Sequence, residues 1–92
     1  MIKTFRDRET ERLHATGRSR RFQSFARPAF QKLRMIDAAS RLADLAAVPG
    51  NRLEALKGDR IGQYSIRVND QYRVCFAWRD GAAYDVEVTD YH

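Results

Sequence analysis

The feature that most constrains the fold is a regular alternation of apolar and polar residues through positions 63–88. A period of two is typical of strands that bury one face and expose the other. Asn69-Asp70 and Asp80-Gly81 interrupt the alternation with residues that favour tight turns. We therefore expect three antiparallel strands joined as a meander. The apolar positions are Tyr64, Ile66 and Val68, then Tyr72, Val74, Phe76 and Trp78, then Tyr84, Val86 and Val88.

Helices are predicted in the first half of the chain. Asp7 is a candidate N-cap for a helix over residues 8–16, and Gly17 offers the left-handed conformation that ends helices. A second helix, with Pro28 in its first turn, has one apolar face at helical spacing. That face consists of Phe30, Leu33 and Ile36.

The remaining segments complete an α+β domain. After residues 37–40 the pattern fits either a short helix with Ser40 as its cap or one bent helix. Shorter strands are expected at residues 1–5 and 53–56. With elements in the order strand, helices, strands, the helices are expected to pack on the sheet around one core. A length of 92 residues is the size of a single domain.

Charge and composition limit the classes of partner and compartment. Lysine and arginine number 17 against 12 aspartate and glutamate, a net charge of +5 that favours a polyanion without indicating any chemistry. Cys75 has no second cysteine for a disulfide or a thiolate metal site, which fits a reducing cytoplasm. No stretch approaches the roughly 20 apolar residues of a membrane helix, and the N-terminus lacks the apolar centre of a signal peptide. We expect a cytoplasmic protein with no membrane partner.

Five cations are expected on or beside the polar face of the sheet: Lys57, Arg60, Arg67, Arg73 and Arg79. Guanidinium groups bind phosphate oxygens in pairs, so such a face can hold an RNA backbone. The competing interpretation is structural, with the arginines protecting the sheet or pairing with Asp85 and Glu87 across strands. Taken alone, the pattern favours the structural interpretation.

The C-terminal His92 shifts that balance. A terminal histidine is ordinarily solvated, but this one follows the last strand so closely that its imidazole can be held against the arginine face. RNA cleavage by the 2′-hydroxyl needs a proton acceptor, a stabilised phosphorane and a proton for the leaving 5′-oxygen. Arg73 suits the second task, His92 the third, and Lys57 can assist electrostatically or act as a base if desolvated. This chemistry requires no metal or cofactor.

Three segments of the sequence resemble the HigB toxins of the RelE/ParE superfamily. They are LKGDR at 56–60, GQYSIRVNDQYRVCF at 62–76 and DYH at 90–92. Their order and spacing are far more specific than any one alone. The resemblance implies a RelE-like microbial ribonuclease fold, with a small, mostly antiparallel mixed sheet and two or three helices on one face. It also implies a toxin of a type II toxin-antitoxin system that cleaves messenger RNA in the decoding site of the ribosome.

The same resemblance implies partners and site residues. The partner would be a HigA-type helix-turn-helix antitoxin that blocks the toxin and represses their shared promoter, so that operator DNA is reached only through the complex. The family's active-site places are matched by Lys57, Arg73, Asp90, Tyr91 and His92. Tyr91 is a candidate for orienting or stacking on a base. Glu54 stands where some relatives have a histidine, and it can act as a base, reposition Lys57 or weaken the activity.

Other interpretations stay open beside this one. Arg60, Arg67 and Arg79 are candidates for RNA contacts, while Asp59 or Asp85 are alternative ion-pair partners for the first two. A toxin of the same fold could instead poison a topoisomerase by binding, which would leave His92 without a chemical role. A non-catalytic module that binds RNA or an acidic partner is the third possibility.

A last group of residues is expected to be structural. Tyr64, Tyr72 and Trp78 share the apolar phase of the strands and are expected in the core. His14 is expected at the surface, and Cys75 as an inert strand residue with no adjacent base.

Overall fold

A computed structural model of the chain describes residues 1–90. Its helices are α1 (Arg8–Thr16), α2 (Ala26–Ala38) and α3 (Leu42–Ala46), and its strands are β1 (Glu54–Ala55), β2 (Gln63–Arg67), β3 (Arg73–Arg79) and β4 (Ala82–Thr89). Short 3₁₀ turns occupy Gln23–Phe25 and Gly58–Arg60. Within residues 1–90, no helix has the length and apolar character needed to cross a membrane.

The sheet is an antiparallel meander in the order β1-β2-β3-β4. Ile2 and Phe5 add parallel bridges to Ala83 and Val86, so the N-terminal segment lies along the outer edge of β4 and the sheet is mixed. The predicted first strand is therefore reduced to two isolated bridges. Asp85, at φ 53°, interrupts the extended edge of β4 between the two bridged positions.

A bulge in β4 overturns one expectation about the buried face. The register between β3 and β4 shifts between Cys75 and Ala77. Asp85 takes up the extra position in the left-handed conformation. Tyr84 therefore pairs with Ala77 on the face opposite the core, whereas Val86 is fully buried. The prediction that Tyr84 and Val86 share one face is wrong, because a bulge changes the phase of the alternation.

The helices pack on one face of the sheet, as the α+β fold class predicts. α1 and α2 contact each other and β4, and α2 also contacts β3. The buried core joins Leu13, Leu33, Ile36 and Leu45 of the helices to Ile66, Val74, Phe76, Val86 and Val88 of the sheet. Tyr64, Tyr72 and Trp78 pack against this core, which confirms their structural assignment.

Local capping explains where the helices begin and end. Asp7 and Gly17 cap α1 as predicted. The predicted Ser40 cap of α3 is wrong, because Arg41 is the N-cap residue. Asp44 Oδ2 accepts the backbone N–H groups of both Ser40 and Arg41 at 3.0 Å, as the side chain of the third helical residue does in a capping box. α2 and α3 are separate helices rather than one bent helix.

Candidate active site

The face of the sheet opposite the helices presents two rows of side chains. Cα partners in antiparallel strands share a face, so their side chains are neighbours. One row runs through Glu54, Ser65, Cys75 and Glu87, and the next through Arg67, Arg73 and Thr89. Both rows mix charged groups with small polar ones. The predicted cation Arg73 lies at the centre of the second row.

Arg73 is held by hydrogen bonds on two sides. Its Nε donates to Ser65 Oγ at 2.7 Å, and its Nη2 donates to the carbonyl oxygen of Arg52 at 2.6 Å and to that of Ser65 at 3.4 Å. Only 13% of the Arg73 side chain is exposed. Arg52 adopts a left-handed φ of 46°, an uncommon conformation for a residue with a side chain. Its third nitrogen, Nη1, makes no hydrogen bond to the described residues 1–90.

A polar pocket of about 380 Å³ opens beside Arg73. Its lining residues are Arg52, Glu54, Arg67, Asn69, Asp70, Gln71 and Arg73. Glu54, 58% exposed, places Oε1 at 3.9 Å from Arg73 Nη2, and Arg67 pairs with Asp70. The pocket therefore combines three guanidinium groups with two exposed carboxylates. An anion that binds Arg73 must compete with Glu54.

The end of β4 reaches the rim of this pocket. Thr89 is the Cα partner of Arg73, and the next residue, Asp90, accepts a hydrogen bond from Gln71 Nε2 at 3.1 Å. Gln71 itself lines the pocket. The structure thus connects Asp90 to the pocket through Gln71. Tyr91 and His92, the other two predicted tail residues, lie outside the described residues.

Lys57 and Arg60 lie in the connection between β1 and β2, outside the pocket lining. Lys57 is exposed and immediately precedes the 3₁₀ turn. Arg60 Nη2 donates to Glu87 Oε1 at 2.8 Å, and its Nη1 donates to Gln63 Oε1 at 3.0 Å. Arg6 Nε lies 3.5 Å from the other oxygen of Glu87. Arg60 thus pairs from the 3₁₀ turn with Glu87 of β4, and Arg67 pairs with Asp70, so neither ion pair is made with Asp59 or Asp85 as expected.

Arg79 stands apart from the other candidate cations. It shares their face but lies six residues along β3 from Arg73, which is about 20 Å in an extended strand. Its guanidinium lies over the ring of Tyr84 at 4.2 Å from the centroid, a cation–π arrangement. The structure therefore does not bring Arg79 to the pocket.

Cys75 lies between the charged groups without taking part in them. It is fully buried, and burial raises the pKa of its thiol to about 11. A thiol that stays protonated is a poor nucleophile, so the expectation of an inert strand residue agrees with this environment. Among residues 1–90, no three His, Cys, Asp or Glu side chains are grouped so that they could hold a metal ion.

Several groups that position the site are not predictable from the sequence. Ser65 read as an ordinary polar strand residue, yet it is fully buried and orients Arg73. No periodic pattern in the sequence indicates the roles of three other groups, because their partners are distant in sequence. These groups are the Arg52 carbonyl, the Gln71 amide and the buried Asn51. For Ser65, the one available signal was its position two residues before Arg67 on the same face of the strand.

Comparison with known proteins identifies the family. The family model described as the RelE-like toxin of type II toxin-antitoxin system HigB matches residues 3–92. The chain belongs to this family of HigB-like toxins. Its membership implies an antitoxin as partner, and the antiparallel sheet with three helices agrees with the RelE-like fold.

Two relatives extend this comparison. A protein named Toxin HigB-1 from Vibrio cholerae serotype O1 is 41% identical over 85 residues, which cover 90% of each chain. A protein named Endoribonuclease HigB from Proteus vulgaris is 38% identical over 65 residues, which cover 66% of this HigB-like toxin and 65% of the relative.

Proposed function

We propose that this HigB-like toxin is an endoribonuclease that cuts messenger RNA in the decoding site of the ribosome. The observation that supports this most is Arg73, fixed by Ser65 and Arg52 at an open polar pocket whose rim holds Asp90. The name of the Proteus vulgaris relative, an endoribonuclease, points to the same reaction class. In this reaction the RNA 2′-hydroxyl attacks the adjacent phosphorus, a cyclic phosphate forms, and the bond to the 5′-oxygen breaks.

Arg73 stabilises the charge that develops on the phosphorane. Its guanidinium is already oriented by three hydrogen bonds, so little reorganisation is needed when the substrate arrives. The unengaged Nη1 can donate to a non-bridging phosphate oxygen. Fixed donors in a partly buried site are worth more than solvated ones, because fewer waters screen them.

Proton transfer is assigned to Glu54 and His92. Glu54 accepts the proton of the 2′-hydroxyl. Its carboxylate lies 3.9 Å from Arg73 Nη2, so a phosphate bound by Arg73 is next to it. His92 gives a proton to the leaving 5′-oxygen, and Lys57 adds positive charge near the phosphate. Tyr91 stacks on a base, and Asp90 anchors the start of this tail through Gln71. Neither a metal ion nor a cofactor takes part in these steps.

The partners follow from the same proposal. A HigA-type helix-turn-helix antitoxin inhibits the toxin, and operator DNA is contacted only through the complex of the two proteins. The ribosome, which is in the cytoplasm, orders the flexible messenger against the small pocket. Arg60 and Arg67 add RNA contacts, while Arg79, far along β3, can contact only a more distant part of the RNA.

The test is cleavage of a messenger bound to ribosomes, with primer extension to locate the cuts. We expect His92→Gln and Arg73→Ala each to lower the cleavage rate by at least about 100-fold, as removal of a catalytic proton donor or charge stabiliser does. Arg34→Ala is the matched control, because Arg34 is exposed on α2 over the ring of Phe30 and should leave cleavage intact. Cleavage should also persist when EDTA removes zinc and other transition-metal ions in an excess of magnesium that keeps the ribosomes assembled.

Other outcomes would replace the proposal. Intact messenger together with growth arrest would contradict a nuclease and favour topoisomerase binding. Ribosome or RNA binding that depends on Arg73 without any cut product would indicate a non-catalytic RNA-binding module.

A further inference from the structure

The chain just before β1 contains a bulge at Arg52. Glu54 pairs with Ser65 in the antiparallel register of β1 and β2. Two residues further along this register, the backbone N–H of Arg67 would meet the carbonyl oxygen of Arg52. It donates instead to the carbonyl oxygen of Asn51 at 2.7 Å. Residues 51 and 52 thus stand opposite one residue of β2, which defines a β-bulge.

The bulge turns the Arg52 carbonyl oxygen away from the strand ladder and toward Arg73. Arg52 adopts a left-handed φ of 46°, and its carbonyl oxygen accepts a hydrogen bond from Arg73 Nη2 at 2.6 Å. A carbonyl oxygen lies about 2.4 Å from the Cα of its own residue, so the Cα of Arg52 is within about 5 Å of that nitrogen. The Arg52 side chain therefore begins next to the Arg73 guanidinium.

The charges around the pocket leave one arginine in excess. The described residues that line it include three arginines and two carboxylates. Arg73 Nη2 lies 3.9 Å from Glu54, and Arg67 pairs with Asp70. The third arginine is Arg52, which is exposed and makes no ion pair with residues 1–90. The described lining thus carries one net positive charge, which favours a singly charged anion such as a phosphodiester group.

We propose that Arg52 is a further RNA-binding residue, whose guanidinium holds a backbone phosphate in the pocket beside Arg73. That the ligand is RNA rests on the proposed nuclease function. An exposed guanidinium that begins next to Arg73 can donate two N–H groups to a phosphodiester entering the pocket. Three hydrogen bonds fix the Arg73 guanidinium, whereas none within residues 1–90 fixes that of Arg52. Arg52 therefore contributes to binding, which affects half-saturation rather than the maximal rate.

Two substitutions separate the charge of Arg52 from its backbone conformation. Asparagine adopts the left-handed conformation more readily than most residues, so Arg52→Asn removes the charge while the carbonyl oxygen stays aimed at Arg73. Arg52→Lys keeps the charge but loses the paired donors of a guanidinium. Arg34→Gln removes one positive charge from an exposed position of α2 and is the control for a general charge effect.

The test uses an RNA hexanucleotide with 2′-O-methyl groups, which lacks the attacking hydroxyl. Its affinity for the free toxin is measured by fluorescence anisotropy at several salt concentrations. We expect Arg52→Asn to bind about five- to tenfold more weakly and to reduce the slope of log affinity against log salt by about 0.7. Arg52→Lys should keep the native slope with an intermediate affinity, and Arg34→Gln should match the native chain in both.

Several results would overturn this role of Arg52. A native slope in Arg52→Asn would do so, also where that variant unfolds at lower temperature, because Arg52 would then serve only the fold. Equal losses in Arg52→Asn and Arg34→Gln would show a general effect of charge. A native chain without salt-dependent binding would also reject a phosphate contact.

The outcome for Arg52 is separable from the outcome for the nuclease. Weaker hexanucleotide binding by Arg52→Asn, together with an intact messenger on ribosomes in the native chain, would retain the RNA contact and reject the nuclease. Cleavage on ribosomes with the same half-saturating toxin concentration in the native chain and Arg52→Asn would retain the nuclease and reject the contact.

Discussion

Ser65 Oγ accepts the Nε–H of Arg73 at 2.7 Å across β2 and β3, and Ser65 is itself fully buried. The two residues are diagonal neighbours on one face, since the direct partner of Ser65 is Cys75. The short serine side chain leaves room for the longer arginine to lie across it. A residue that touches no substrate thereby sets the orientation of the guanidinium on which the proposed reaction depends.

The variant Ser65→Ala should disturb the orientation of the Arg73 guanidinium while leaving its charge unchanged. Without its acceptor, the Arg73 Nε–H is left unpaired in a partly buried place, which should cost about 1–3 kcal/mol in the free energy of unfolding. We also expect the cleavage rate at saturation to fall by about tenfold, because the guanidinium can rotate away from the phosphate. Urea unfolding and cleavage on ribosomes measure the two effects. Ser24→Ala, at an exposed position of the first 3₁₀ turn, is the control. A destabilised variant with native cleavage would mean that Ser65 only supports packing.

Thr10→Val should loosen the end of β4. Thr10 is fully buried, and its Oγ1 accepts the backbone N–H of Val88 at 3.0 Å while donating to Asp7 Oδ2 at 3.0 Å. Valine has the same shape but cannot accept, so the Val88 N–H loses its partner at a cost of about 1–3 kcal/mol. Hydrogen exchange at Val88, two residues before Asp90, should be faster in the variant. Thr16→Val, at the exposed end of α1, should leave that exchange unchanged, and equal exchange in both variants would argue against the link.

The fold was largely predictable because its signals are local. Strands that bury one face must alternate, and this located the meander of β2, β3 and β4. Asp7 and Gly17 were recognised because capping depends on the residue type at one position. The face of the sheet on which Tyr84 lies was not predictable. It depends on the bulge at Asp85, where β4 pairs with β3 on one side and with the N-terminal segment on the other.

The candidate site was predictable only in part. Alternation assigns Arg67, Arg73 and Arg79 to one face, but it does not say how far apart they lie along the strand. Arg79 was therefore grouped with a site that it does not line. Groups such as Asn51 act through partners far away in sequence, so no periodic pattern reveals them. The roles of the predicted site residues remain predictions.

Cys75 should make the stability of the protein fall in alkaline solution. Burial raises the pKa of the folded thiol from 9.0 to about 11, so the unfolded chain loses this proton at lower pH than the folded chain. The stabilising contribution is complete below a pH of about 9 and is lost as the pH rises through about 11. Between these two pH values, the free energy of unfolding measured in urea should therefore fall more steeply for the native chain than for Cys75→Ala. Parallel curves would contradict the assignment, because lysine and tyrosine titrate equally in both proteins.

The same environment predicts that Cys75 has no chemical role. The folded thiol should be unreactive toward a thiol reagent at neutral pH and become reactive in urea. Cys75→Ala should keep native cleavage on ribosomes. Loss of cleavage in a variant with native secondary structure would show that the thiol takes part in the reaction.

Asp44 should make the start of α3 sensitive to acid. The backbone N–H groups of Ser40 and Arg41 bond to its carboxylate and lower its pKa, so the folded chain favours the ionised form. This stabilising contribution is present above the ordinary carboxyl pKa of about 3.9 and is lost as the pH falls below it. Asp44→Asn should therefore lower the melting temperature at neutral pH, and the difference from the native chain should shrink as the carboxylate is protonated.

Asp59→Asn, in the exposed second 3₁₀ turn, is the matched control and should show no such convergence. A difference that stays constant from neutral pH to about pH 3 would mean that the cap does not depend on ionisation.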